Sequence, residues 1–107
     1  MQVEELLQAT VTALEDIKAE NTVTLDVRGM TSIADYMVIC SARSSRHLKA
    51  IADEVLSKLK ERFSIPIHIN GENSSGWILL DLGDIIVHIM SEETRDFYAL
   101  EKLWQKT

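Results

Sequence analysis

Apolar positions along the chain change their period several times, and each change marks an element. Val3, Leu6, Leu7, Thr10, Leu14 and Ile17 recur at helical spacing, with Glu4 and Glu5 in a first turn where the helix dipole favours acids. The spacing predicts an amphipathic helix over residues 3–20, ending near Asn21. Val23, Leu25 and Val27 then alternate with Thr24 and Asp26, the pattern of a half-buried strand. Residues 28–31 contain Gly29 and read as a turn, after which Ser32 is placed to cap a short helical turn through Ile33, Ala34 and Asp35. Residues 36–40, YMVIC, are a continuous apolar run of strand length, expected at the centre of a sheet.

A second helix follows a polar loop. Leu48, Ile51, Ala52, Val55, Leu59 and Phe63 make a stripe over residues 46–63, with Ser44 or Ser45 as the cap. Residues 65–69 alternate around His68 and predict a strand, with Pro66 at its start or on an edge, and residues 70–76 read as a polar loop. Ser91 is placed to cap a last helix whose first turn holds Glu92 and Glu93 and whose stripe is Phe97, Leu100, Leu103 and Trp104.

Between these lies WILLDLGDIIVHIM, residues 77–90, two strand-like runs around Gly83-Asp84. Glycine supplies the positive φ that a tight hairpin needs. Side chains alternate faces along a strand, so a two-residue turn puts Ile78, Leu80, Leu82, Ile85, Val87 and Ile89 on one wholly aliphatic face. Trp77, Leu79, Asp81, Ile86, His88 and Met90 share the other, a mixture suited to a partner-binding surface. A three-residue loop would change that parity.

The order α-β-(short α)-β-α-β-β-β-α predicts an α/β (α+β) fold, one mixed sheet of about five strands with helices packed against it. Strand, helix and strand between Tyr36 and Ile69 imply a right-handed crossover and a parallel pair. Residues 1–107 read as one domain, long enough to bury about 65% of the unfolded surface. The net charge of −6 argues against non-specific binding to nucleic acid or anionic membrane and is compatible with a basic protein partner. With Cys40 as the single cysteine no internal disulfide forms, which suits a reducing compartment, and neither a secretory signal nor a membrane-spanning run is expected.

Few residues carry chemistry. Asp81, Asp84 and His88 are near in sequence and offer a metal or acid–base site; the alternative is a turn aspartate, a solvated aspartate and a surface histidine. Cys40 is a nucleophile only in an environment unlike its apolar run. The glycines at 71, 76 and 83 lack the spacing and the lysine of a phosphate loop. Residues 43–62 are net basic but interleaved with acids and poor in aromatics, so a solvated helix face is favoured over RNA contact. No metal and no cofactor is expected.

Several segments together resemble the ribosomal silencing factor family (RsfS, Iojap). They are Asp26-Val27-Arg28; residues 32–41, SIADYMVICS; Ser44-Ser45-Arg46 with residues 49–52; Gly71-Glu72 leading to Trp77; Leu80-Asp81 with Gly83-Asp84 and Val87-His88; and residues 95–104, RDFYALEKLW. The matches run in order along nearly the whole chain, and Met37 and residues 40–42 depart slightly from the commoner family residues. The resemblance implies a nucleotidyltransferase-like fold without catalytic residues and a non-enzymatic, cytoplasmic translation repressor. It implies docking on the large ribosomal subunit through ribosomal protein L-fourteen with little direct rRNA contact, a steric block to small-subunit joining, and action under nutrient limitation. Carried onto this chain, the docking residues are Trp77, Leu79 and Asp81, with His88 and Met90 beside them and Tyr98, Glu101 and Trp104 of the last helix further out. A small nucleotidyltransferase- or phosphoesterase-like enzyme using Asp81, Asp84 and His88, and a homodimer through the Trp77 patch, are the rival readings.

Overall fold

A computed structural model describes residues 3–72, 75–100 and 102. Helix α1 (Val3–Asp16) is followed by strands β1 (Glu20–Asp26) and β2 (Tyr36–Ala42), helix α2 (Ser45–Arg62), strands β3 (His68–Glu72), β4 (Trp77–Asp81) and β5 (Ile85–Ser91), and helix α3 (Glu92–Tyr98). The strands form one sheet in the order β1-β2-β5-β4-β3. Only β2 and β5 are parallel; the other neighbours are antiparallel.

The expected parallel pair is therefore corrected. After α2 the chain does not return beside β2 but crosses to the far edge as β3, and β5 takes the place next to β2. Burial explains the choice. From Ile85 to Met90 every residue of β5 is buried, so this strand needs cover on both faces and neighbours on both sides. Strand β3 carries His68, Asn70 and Gly71, all exposed, and tolerates the edge.

The hairpin keeps the expected parity. Leu80 pairs with Val87 and Ile78 with Ile89, and the Leu82 N–H donates to the Ile85 carbonyl at 2.9 Å, leaving Gly83 and Asp84 as a two-residue turn. Gly83 has φ +92 at the first turn position, where a two-residue hairpin demands it. The aliphatic face of β4 and β5 joins Val38 and Cys40 of β2 and meets α1 through Leu6 and Leu14 and α2 through Leu48, Ile51, Val55 and Leu59. A smaller cluster of Val27, Ala34, Met37 and Ile86, with Leu25 and Leu79 packed on it, lies on the opposite face.

Strand β1 begins at Glu20, earlier than the predicted Val23, and α3 stops at Tyr98; three further departures have a local cause. Helix α1 ends at Asp16 instead of 20, because Lys18 adopts φ 60 and the chain closes with Lys18 N–H to Glu15 O and Ala19 N–H to Leu14 O, each at 3.0 Å. This is a Schellman cap with lysine where glycine is usual. The predicted helical turn at residues 33–35 is absent. The Ile33 N–H donates to Thr31 Oγ1, not to Ser32, and the Asp35 and Tyr36 amides both go to the Asp84 carbonyl, which ties the segment to the hairpin turn instead. Finally, β3 begins at His68 and runs through residues predicted as loop, while Ile65 and Ile67 pack against the main core from an extended segment. Helix α2 meets its prediction, with Ser44 Oγ accepting from the His47 N–H at 3.0 Å. His47 then ties the helices: its Nδ1 accepts from the Arg43 N–H, leaving Nε2–H to donate to the Ile17 carbonyl at 3.0 Å.

Two glycines with the same φ test how far space and conformation each matter. A Cβ at Gly71 (φ +92) would collide with the Trp77 carbonyl oxygen, whereas one at Gly83 (φ +92) would meet nothing within 4 Å. Gly83→Ala is expected to cost about 1 kcal/mol and about 5 °C in thermal midpoint, and Gly71→Ala at least about twice that, in melts followed by circular dichroism.

Candidate docking surface

The sheet face turned away from α1 and α2 is only partly covered. The register sets Trp77 beside Met90, Leu79 beside His88, and Asp81 beside Ile86. Val27 and Ala34 from the β1–β2 loop close one end, and α3 closes the other. Between them runs a groove of about 630 Å³, floored by Trp77 and Leu79. Glu93, Thr94, Phe97 and Tyr98 wall it on the α3 side, and Asn70, Gly71 and Ser75 on the β3–β4 side. Two of these rings are largely in solvent: Phe97 is 80% exposed and Tyr98 49%.

The expected docking residues do not all reach this surface. Trp77, Leu79 and Asp81 are half-buried, and Tyr98 is exposed. Met90 has no exposed area and His88 only 6%, so both lie behind the surface instead of on it. The reason is cover: β5 is central and α3 folds over its carboxyl end. Phe97, expected on an inward stripe of the last helix, points outward. Ser91 caps α3 directly off the end of β5, accepting from the Thr94 N–H at 3.1 Å, and this phase turns Arg95 inward. Glu101, Leu103 and Trp104 lie outside the described residues.

Two buried polar groups hold the groove in shape. Trp77 Nε1–H donates to His88 Nδ1 at 3.1 Å, with the rings 5.8 Å apart, so His88 carries its proton on Nε2 and fixes the indole. Burial lowers the His88 pKa to about 4, which keeps that acceptor free of a proton at neutral pH. Arg95, 8% exposed, donates from Nη1 to the Asn21 carbonyl at 2.7 Å and to Ser41 Oγ at 2.9 Å. It thereby pins α3 to β1 and β2. Sequence reasoning gave Arg95 no role, since no period or spacing marks a buried arginine; the only cue is its place one turn after the Ser91 cap. Asn21 presents its carbonyl from a β-bulge with φ 49.

The chemistry considered from sequence is not assembled. Asp81 Oδ1 accepts the Gly83 N–H at 2.9 Å and so makes the turn, Asp84 is exposed within it, and His88 is committed to Trp77. Among the described residues no three His, Cys, Asp or Glu side chains are grouped to hold a metal ion. Cys40 is buried, and desolvation pushes its thiol up to about 12, away from thiolate reactivity. The basic residues of α2 are on the far side of the sheet, and Lys49 pairs with Asp53 at 2.9 Å.

His88 gives stability a pH dependence with a definite sign. Its folded pKa of about 4 lies below the ordinary 6.5, so the unfolded chain binds the extra proton and stability falls as pH drops from 6.5 towards 4. The loss attributable to His88 is up to about 3 kcal/mol. Urea titrations across that window should show the gap between wild type and His88→Asn narrowing as pH falls. Arg95→Met should raise amide exchange in α3, because the Asn21 carbonyl and Ser41 hydroxyl lose their donor, at a cost of about 2–4 kcal/mol.

Comparison with known proteins agrees in sequence and in shape. The chain matches the family described as ribosomal silencing factor during starvation over residues 1–107. It is 42% identical to the ribosomal silencing factor of Halalkalibacterium halodurans over 102 residues, which covers 94% of this chain and 86% of the relative. It is 40% identical to that of Haemophilus influenzae, covering 92% and 97%. A mouse relative, 34% identical over 88% of this chain and 42% of its own length, is named for mitochondrial assembly of the ribosomal large subunit. A crystal structure from Chromobacterium violaceum superposes with a TM-score of 0.92 at 38% identity, covering 100% of this chain and 91% of the other. The relatives are named as regulatory factors and not as enzymes. This chain belongs to the ribosomal silencing factor family.

Proposed function

We propose that the protein silences ribosomes in the cytoplasm by seating its Trp77 groove on the large subunit through ribosomal protein L-fourteen. The seated protein blocks the joining of the small subunit and lowers translation when nutrients are short. The observation that carries this reading is the groove itself: an open, largely apolar surface around Trp77, Leu79, Phe97 and Tyr98 on the face turned away from α1 and α2. Aromatic side chains held rigidly at a sheet surface are the usual anchors of protein interfaces. The net charge of −6 supports a basic protein as the direct contact and disfavours rRNA. The mechanism is steric, so occupancy alone suffices and no reacting group is required.

Cosedimentation with purified large subunits tests it. Trp77→Ala, with its fold checked by circular dichroism, is expected to bind at least about 30-fold more weakly. Lys49→Ala, on the opposite side of the molecule, is expected to bind as wild type does. Unchanged binding of Trp77→Ala overturns the assignment. A concentration-dependent dimer that Trp77→Ala dissolves, without any effect on subunit binding, would assign the face to self-association instead.

A further inference from the structure

We infer that the groove accepts an arginine side chain, presented by a basic segment of the docking partner, between its aromatic rings and Glu93. The inference rests on the docking reading above and names what enters the groove. Two side-chain donors and one backbone donor of the lining are already used within the protein. The Trp77 indole N–H goes to His88, the Ser75 hydroxyl donates to the Trp77 carbonyl at 3.2 Å, and the Thr94 N–H is taken by Ser91. What faces outward is different in kind. Trp77 and Tyr98 meet with centroids 4.8 Å apart and planes tilted by 49°, and Phe97 stands edge-on to Tyr98 at 5.0 Å. Glu93 adds an exposed carboxylate, and no lysine or arginine is among the lining residues.

Ring faces and a carboxylate are both partners for a cation. A guanidinium suits them better than an ammonium. It is flat, more weakly hydrated, carries only donors, and can stack on a ring while its edge bonds a carboxylate. An anion would meet the Glu93 carboxylate and find no lysine or arginine in the lining. The field of a chain with net charge −6 draws the cation in.

The test uses the full chain, labelled with nitrogen-15 and titrated with N-acetyl-arginine methylamide or with its uncharged citrulline counterpart. The Trp77 indole N–H signal, identified by its loss in Trp77→Phe, is expected to shift with the arginine compound only. Glu93→Gln is expected to weaken that titration about 3-fold. Equal shifts with both compounds, or none with arginine, overturn the inference. In cosedimentation, Glu93→Lys is expected to bind large subunits at least about 10-fold more weakly. If Trp77→Ala loses binding while Glu93→Lys keeps it, the arginine contact is wrong and the docking face stands. If both variants bind as wild type does, both readings fall.

Discussion

The two-residue turn at Gly83 and Asp84 is the constraint on which the other features depend. Strand side chains alternate, so a slip of one residue would put the two arms of the hairpin out of phase. With β5 kept against the helices, Trp77, Leu79 and Asp81 would be pressed onto α1 and α2, and Ile78 and Leu80 would be turned away from them. Asp81 guards against this by accepting the Gly83 N–H, a contact that stabilises the turn locally. The same turn fixes β5 against β4, and the completely buried β5 then takes β2 as its parallel neighbour. The groove is a consequence of that order: β3, displaced to the edge, supplies one side, and α3, leaving β5 through the Ser91 cap, supplies the other.

A face with so small an apolar cluster needs other means of staying rigid. His88 and Arg95 provide them, each through hydrogen bonds to a neighbouring element. His88 stays neutral and offers one acceptor to one donor, the Trp77 indole. Arg95 donates from Nη1 to a backbone carbonyl and a hydroxyl on two strands. Neither arrangement is a reservoir of free energy in itself, since desolvation offsets most of the gain. What they contribute is geometry. An indole with a fixed orientation and a short helix with a fixed seat lose little freedom when a partner arrives, and that lowers the cost of binding.

Much of this was legible in the chain. The alternation in residues 77–90, the glycine between the arms and the heptad-like stripe of α2 fixed the faces of the hairpin and the helical side of the sheet. What escaped was of three physical kinds. The end of α1 was hidden because lysine, not glycine, occupies the left-handed position of its cap. The strand order was hidden because a crossover helix says that strands run in the same direction, not that they are neighbours. The burial of Met90 and His88 was hidden because alternation assigns a side chain to a face but is blind to what another element lays over it. The outward turn of Phe97 has a related origin: the phase of α3 is set by the Ser91 cap and by Arg95, and the helix stops at Tyr98 where Ala99 turns left-handed.

The candidate site gains its character from how its polar groups are used. Asp81 serves the turn, His88 the indole, Ser91 the cap and Arg95 the seat of α3, so the side chains that might have reacted or coordinated are engaged in building the surface. What the surface offers outward is ring area, an exposed Phe97 and Tyr98, and the carboxylate of Glu93. On the docking reading proposed above, such a set would hold a partner without transforming it. On that reading affinity would come from desolvated aromatic area and discrimination from charge, because a long cationic side chain gains on both the rings and the acid while an anionic one is repelled by the acid. A surface of that kind can tell a basic protein from the phosphate backbone surrounding it on a ribosome, which a uniformly apolar patch could not.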